Sequence, residues 1–198
     1  MKHDGLRYAL LSQILLFAGS LVAVVLRPEF FFSLDQGGVS NYGVIPLTIL
    51  PYTVALLGCG YYMMRSALSL PADNADLRDG RRVIFVVGVF YILMLLSTYP
   101  YQQSLVLTYV HQIISIMLVL IILLAGVWIY QQLLRMKAAQ QRDIVVLLIG
   151  VVLGFLTVID AVRVLFTAQI IVAIGFGRLY LHYMSRVHAT VTSSSKDE

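Results

Sequence analysis

The chain has 198 residues, 60% of them hydrophobic and 12% charged, with a formal net charge of +4. Soluble domains run about 45–50% apolar and about 25% charged, so this balance excludes an ordinary soluble domain and marks an integral membrane protein whose first partner is the lipid bilayer. The surplus of positive charge does not point to nucleic acid, because the basic residues lie in short stretches beside apolar runs, where they act as topology signals.

A membrane span needs about 20 mostly apolar residues. The predicted fold is therefore all-α, a polytopic bundle of six transmembrane helices over 8–26, 44–64, 83–99, 105–130, 143–163 and 168–184, in a single domain over 1–188. The tail 189–198, rich in Ser and Thr and ending Lys-Asp-Glu, is expected to be disordered.

The first apolar run follows Lys2 and Arg7. It is longer than the roughly 7–15 residues of a signal-peptide core and lacks a small-residue cleavage site, so it reads as a retained helix. The connection from Pro28 to Thr53 is the richest in chemistry, gathering aromatics, Glu29, Asp35, Asn41 and the glycines of Gln36-Gly37-Gly38. Those glycines lack the lysine and spacing of a phosphate-binding loop and read as a turn or a close backbone approach. The second predicted helix carries Pro46 in its first turn and Pro51 further in, where a bend is expected beside Tyr52 and Thr53. Cys59, the single cysteine, lies within it, so no intramolecular disulfide can form.

The stretch from Arg65 to Arg82 interleaves Asp73, Asp76 and Asp79 with arginines. Membrane CDP-alcohol transferases use aspartates at similar spacings to hold cations, but the further downstream aspartates they need are missing, so a solvated loop is expected and no metal site. The third predicted helix ends at Pro100. A short Tyr-Pro-Tyr-Gln-Gln turn leads into the fourth, and the region from Asp143 to Arg186 is divided near Val164 to Ala168 into the fifth and sixth.

With six spans, one side holds twelve basic residues and the other only Arg27 and Arg163, which accounts for all 14. The positive-inside rule then places both termini in the cytoplasm. This topology gathers most polar residues at membrane depth in the outer half, and the inner half reads as plainer. Thr108, His111 and Ser115 share one face of the fourth predicted helix, and Thr157, Asp160 and Arg163 one face of the fifth. Polar groups within spans are costly and usually face the bundle interior, so an outward-opening polar pocket is expected. Its candidate ligand-binding residues are Tyr52, His111, Gln112, Asp160 and Arg163, with Asp160 and Arg163 facing a charged ligand group, His111 and Gln112 hydrogen-bonding it, and Tyr52 gating or stacking. The equally weighted alternative is that His111 and the Asp160–Arg163 pair simply tie helices together.

No cofactor is implied. A bis-histidine haem needs two ligands at one depth, and His111 and His182 fall at opposite ends of their spans. No rhomboid-type Gly-x-Ser-Gly setting is present, and a Ser115–His111 dyad lacks a third group. Gly150 and Gly154 form a G-x-x-x-G pattern that serves helix packing, inside the monomer or in a homo-oligomer.

Six spans, cytoplasmic ends, Val-Ser-Asn-Tyr-Gly just before the second helix, an early His in the fourth and acidic plus basic residues late in the fifth give the chain a resemblance to small bacterial membrane proteins of the DUF998 type, within the wider Frag1/DRAM/Sfk1-like group. Asn41 and Tyr42 stand where that group often has an acidic residue. The resemblance implies a multi-pass protein of a bacterial cytoplasmic membrane with a connection to lipids. The leading expectation is a non-enzymatic binding, transport or sensing module for a small molecule or lipid headgroup. The alternatives are a lipid-modifying enzyme using His111 and Asp160, and a structural or assembly subunit.

Overall fold

The computed structural model describes residues 4–29, 38–72, 74–100, 103–159 and 161–194. Among them the chain is all-helical: α1 (Asp4–Leu26), a short 3₁₀ turn (Val39–Gly43), α2 (Ile49–Leu68), α3 (Ala75–Thr98), α4 (Leu105–Arg135), α5 (Gln141–Val158) and α6 (Leu165–Ser194). Five of the six α-helices, all but α2, are long and apolar enough to cross a membrane.

Helix starts follow local chemistry. The Asn74 side chain accepts from the amides of Asp76 and Leu77 at 2.9 and 3.3 Å and so begins α3. Ser104 does the same for α4 through Leu107, at 3.2 Å. α4 ends in a Schellman arrangement, with Ala138 N–H bonding to Leu133 C=O at 2.8 Å and Lys137 N–H to Leu134 C=O at 2.9 Å. Lys137 takes the left-handed conformation this requires, at φ 53°.

Several boundaries differ from expectation. The second helix begins at Ile49 rather than Val44, because the chain first turns at Ile45 to Thr48, where the Thr48 and Ile49 amides both reach the Ile45 carbonyl. Pro46 thus precedes the helix and Pro51 sits in its first turn, where the missing N–H breaks no interior bond, so the expected bend has no cause. The fifth helix stops at Val158, and Arg163 lies in the following connection rather than on a helical face shared with Thr157. The last helix runs on through Ser194 into the tail expected to be disordered.

α1 packs on α2 and α6, α2 on α3, α3 on α4, and α4 on α6, which closes a ring of five helices; α5 lies outside it against α6 and α4. Gly5 of α1 faces Ser69 beyond α2 and Met184 of α6, so the two termini share one end of the bundle. The other end carries the 3₁₀ turn. Apolar side chains are exposed along α1, α4 and α5, among them Ile14, Val25, Val106, Leu124 and Phe155. In water so much exposed apolar surface would drive aggregation, whereas here it is the face offered to lipid.

Candidate functional site

The turn Val39–Gly43 covers the end of the ring opposite the termini and is tied to four helices. The Val39 amide donates to Gln169 Oε1 of α6 at 2.7 Å, and Gly38 passes so close to the Gln169 side chain that a Cβ there would overlap it. Ser40 Oγ lies 3.0 Å from His111 Nε2 of α4, and His111 Nδ1 lies 3.0 Å from Ser97 Oγ of α3. Tyr42, 1% exposed, reaches the Arg27 carbonyl at the end of α1 with its hydroxyl at 3.2 Å and meets Phe166 of α6 edge-on. The ring is therefore wedged between α1 and α6, which approach each other toward the opposite end, where a Cβ on Gly177 would come within 2.5 Å of Gln13 Oε1. Thr48 holds the turn from behind by donating to the Tyr42 carbonyl at 2.7 Å. Burial, and then the charge of Glu29, push the Tyr42 phenol above its ordinary value.

Beneath this cap lies a cavity of about 100 Å³ walled by all five ring helices and by Val39, with nothing from α5. Most of the wall is apolar. Its polar members are Ser20 of α1, Tyr52 of α2, Tyr91 of α3, Ser115 of α4 and Gln169 of α6. Phe17 and Ser20 of α1, Val119 of α4 and Ile170 and Ala173 of α6 are only half-buried, so this side of the wall is the least covered.

The expected site residues are dispersed. Tyr52 lines the cavity, and its hydroxyl is 3.0 Å from Thr98 Oγ1. His111 is buried, and both ring nitrogens face serine hydroxyls. Gln112, one residue on, is exposed, because a 100° step along α4 turns it away from the interior. Arg163 is exposed in the α5–α6 connection, and Asp160 lies outside the described residues, as does Asp35. The Ser115 hydroxyl donates to the carbonyl of His111, at 2.8 Å, so it forms no dyad with the ring.

The end that holds the termini is less plain than the sequence implies. Asp143, 3% exposed at the start of α5, receives a 2.8 Å hydrogen bond from Arg178 Nε of α6, with Arg142 Nε at 3.7 Å and His182 Nδ1 at 3.9 Å. Nearer the middle, Ser66 of α2 bonds with Tyr180 of α6, and the Ser12–Gln13 pair of α1 lies buried with Gln13 Oε1 unpartnered. The available signal was polar residues inside apolar runs on separate helices; which of them meet was not encoded in spacing. Among the described residues, no group of three or more His, Cys, Asp or Glu side chains is placed to hold a metal ion.

Five apolar helices of membrane-crossing length, four of them walling the capped interior, mark a multi-pass integral membrane protein. Compared with protein-family models, with curated proteins and with solved structures, the chain matches none.

Proposed function

We propose that the protein is a six-span, non-enzymatic binding module that faces its 3₁₀ cap outward, keeps both termini in the cytoplasm and takes a small amphipathic molecule, or the head-proximal part of a lipid, into the capped cavity. The observation that carries this reading is the cavity itself. A water needs about 10–15 Å³, and a space of about 100 Å³ exceeds that several-fold. A mostly apolar wall with a few convergent polar groups is the usual character of a small-molecule site. Ser20, Tyr52, Ser115 and Gln169 would orient the polar part, and the half-buried side between α1, α4 and α6 offers entry from the bilayer.

α2 would be the sixth span. Its hydropathy is lowered by Pro51, by tyrosines and by Arg65 at its end, and it is shielded from lipid in part by α1 and α3. The charge bias supports the orientation, and the resemblance to DUF998-type proteins is in keeping with a lipid-connected role in a bacterial cytoplasmic membrane. A second reading, a structural subunit, is favoured by His111, whose nitrogens are both engaged by serines. An acid–base role for His111 with Asp160 would require it to give up one of these partners.

The test is a thermal-shift screen of the purified chain against lipids and metabolites, repeated with Ala173→Phe, which fills the cavity, and with His111→Ala. A ligand shift abolished by Ala173→Phe supports the module. An absence of any shift, with His111→Ala merely less stable, supports the structural subunit. C-terminal reporter fusions active outside the cell would overturn the orientation.

A further inference from the structure

We infer that a second site, at the end of the bundle holding the termini, binds the phosphate headgroup of an anionic phospholipid. Arg78, Arg81 and Arg82, in the first two turns of α3, line a groove of about 460 Å³ with Phe85 and Val86 of the same helix and Leu68 at the end of α2. The α3 residues fall at i, i+3, i+4, i+7 and i+8, which is one continuous helix face with the arginines at its polar end and the apolar pair one turn deeper. Val86 and Leu68 are exposed, at 42% and 48%, so the lower wall is open to lipid tails while the upper wall offers three guanidiniums.

The acidic residues of the same helical turns sit in exposed ion pairs, Asp76 with an arginine outside the groove and Asp79 with one of the groove's own. Asp76 pairs with Arg135 of α4 at 3.7 Å, and Asp79 with Arg82 at 3.5 Å, the latter between side chains 55% and 71% exposed. Exposed pairs of this kind are weak and yield readily to a better anion. No acidic side chain lines the groove among the described residues. A topology signal requires only that basic residues gather at this end; it does not require three of them on one face above an apolar floor. Guanidiniums bind phosphate oxygens two at a time, and basic pockets at the membrane surface between spans hold anionic headgroups through such contacts. A diacyl phospholipid satisfies both walls at once, with phosphate on the arginines and chains along Phe85, Val86 and Leu68.

The full chain is reconstituted in nanodiscs of phosphatidylcholine alone or mixed with phosphatidylglycerol, and its melting temperature and lipid adducts by native mass spectrometry are measured. Phosphatidylglycerol is expected to raise the melting temperature and to survive as an adduct. Both effects should be lost in R78Q/R81Q/R82Q and retained in the charge-matched control R7Q/R135Q/R186Q. R78Q alone, a single exposed change, should lower adduct retention severalfold even if the triple variant does not fold. Retention of both effects in R78Q, equal losses in the two triple variants, or an equal shift from inorganic phosphate in phosphatidylcholine discs would each overturn the assignment.

Discussion

Ser40 and His111 stand 71 positions apart in the chain and 3.0 Å apart in the fold, and through the second nitrogen of His111 the bond continues to Ser97. This relay fastens the cap to α4 and α3. His111→Ala leaves Ser40 buried without that partner and is expected to cost about 2 kcal/mol, while Ser40→Ala costs about 1 kcal/mol. Because both remove the same bond, the double variant should be less damaging than the sum by about 1 kcal/mol. Thermal or chemical unfolding of the four proteins in one detergent measures this; strict additivity would mean the contact contributes nothing.

Asp143 and Arg178 differ in exposure, with side chains 4% and 44% accessible, and this predicts unequal consequences for losing either one. Arg178→Gln leaves the buried carboxylate with only the more distant Arg142 and His182 and should destabilise by about 2 kcal/mol, whereas Asp143→Asn, which can still accept from Arg178, should cost about 1 kcal/mol. Unfolding midpoints in the same order for both variants would remove the argument.

The two glycines of the G-x-x-x-G pattern are not equivalent. A Cβ on Gly150 would come within 2.6 Å of the Val172 amide nitrogen of α6, which cannot yield without parting the helices, whereas one on Gly154 would meet only the Ala168 methyl at 3.8 Å. Gly150→Ala is therefore expected to cost about 1–3 kcal/mol and Gly154→Ala to change stability by less than about 0.5 kcal/mol, or to raise it slightly through helix propensity. Equal effects in an unfolding assay would place the packing contact elsewhere, for instance between copies of the chain.

Glu29, exposed just after α1, is held below the ordinary carboxylate value by a hydrogen bond from its own backbone and by the Arg27 guanidinium. A carboxyl whose folded value is depressed contributes stability that is present above its unfolded value, about 4.3, and disappears as pH falls through the folded one. Wild type should therefore melt above Glu29→Gln at neutral pH, and the gap should close in acid. A gap independent of pH between 3 and 7 would show that Arg27 gains nothing from the charge.

Much of the scaffold was legible in the sequence. Apolar runs located all six helices, although α3 begins at Ala75 rather than at 83 and α6 runs to Ser194 rather than to 184; Asn74 and Ser104 stood where caps are wanted, and Pro100 followed the end of α3. The candidate site was less so. Tyr52 and His111 both turned out buried near the cap, but only Tyr52 lines the cavity; Gln112 faces outward and Arg163 lies off the helix, because the fifth helix ends at Val158. Gln169, which receives the Val39 amide across 130 positions, carried no local signal that distinguished it from other polar residues.

The division has a physical origin. A run of about 20 apolar residues in hydrocarbon must close its backbone hydrogen bonds within itself, so composition alone determined that this chain is helical, spans a membrane repeatedly and exposes leucines and valines to lipid. Lipid tails are as apolar as leucine, and an apolar run therefore leaves the rotation and depth of its helix undetermined. Those were decided by tertiary contacts: glycines that let α5 and α6 touch, Arg178 reaching Asp143, and a 3₁₀ turn that seats Tyr42 between α1 and α6 and closes the cavity beneath it.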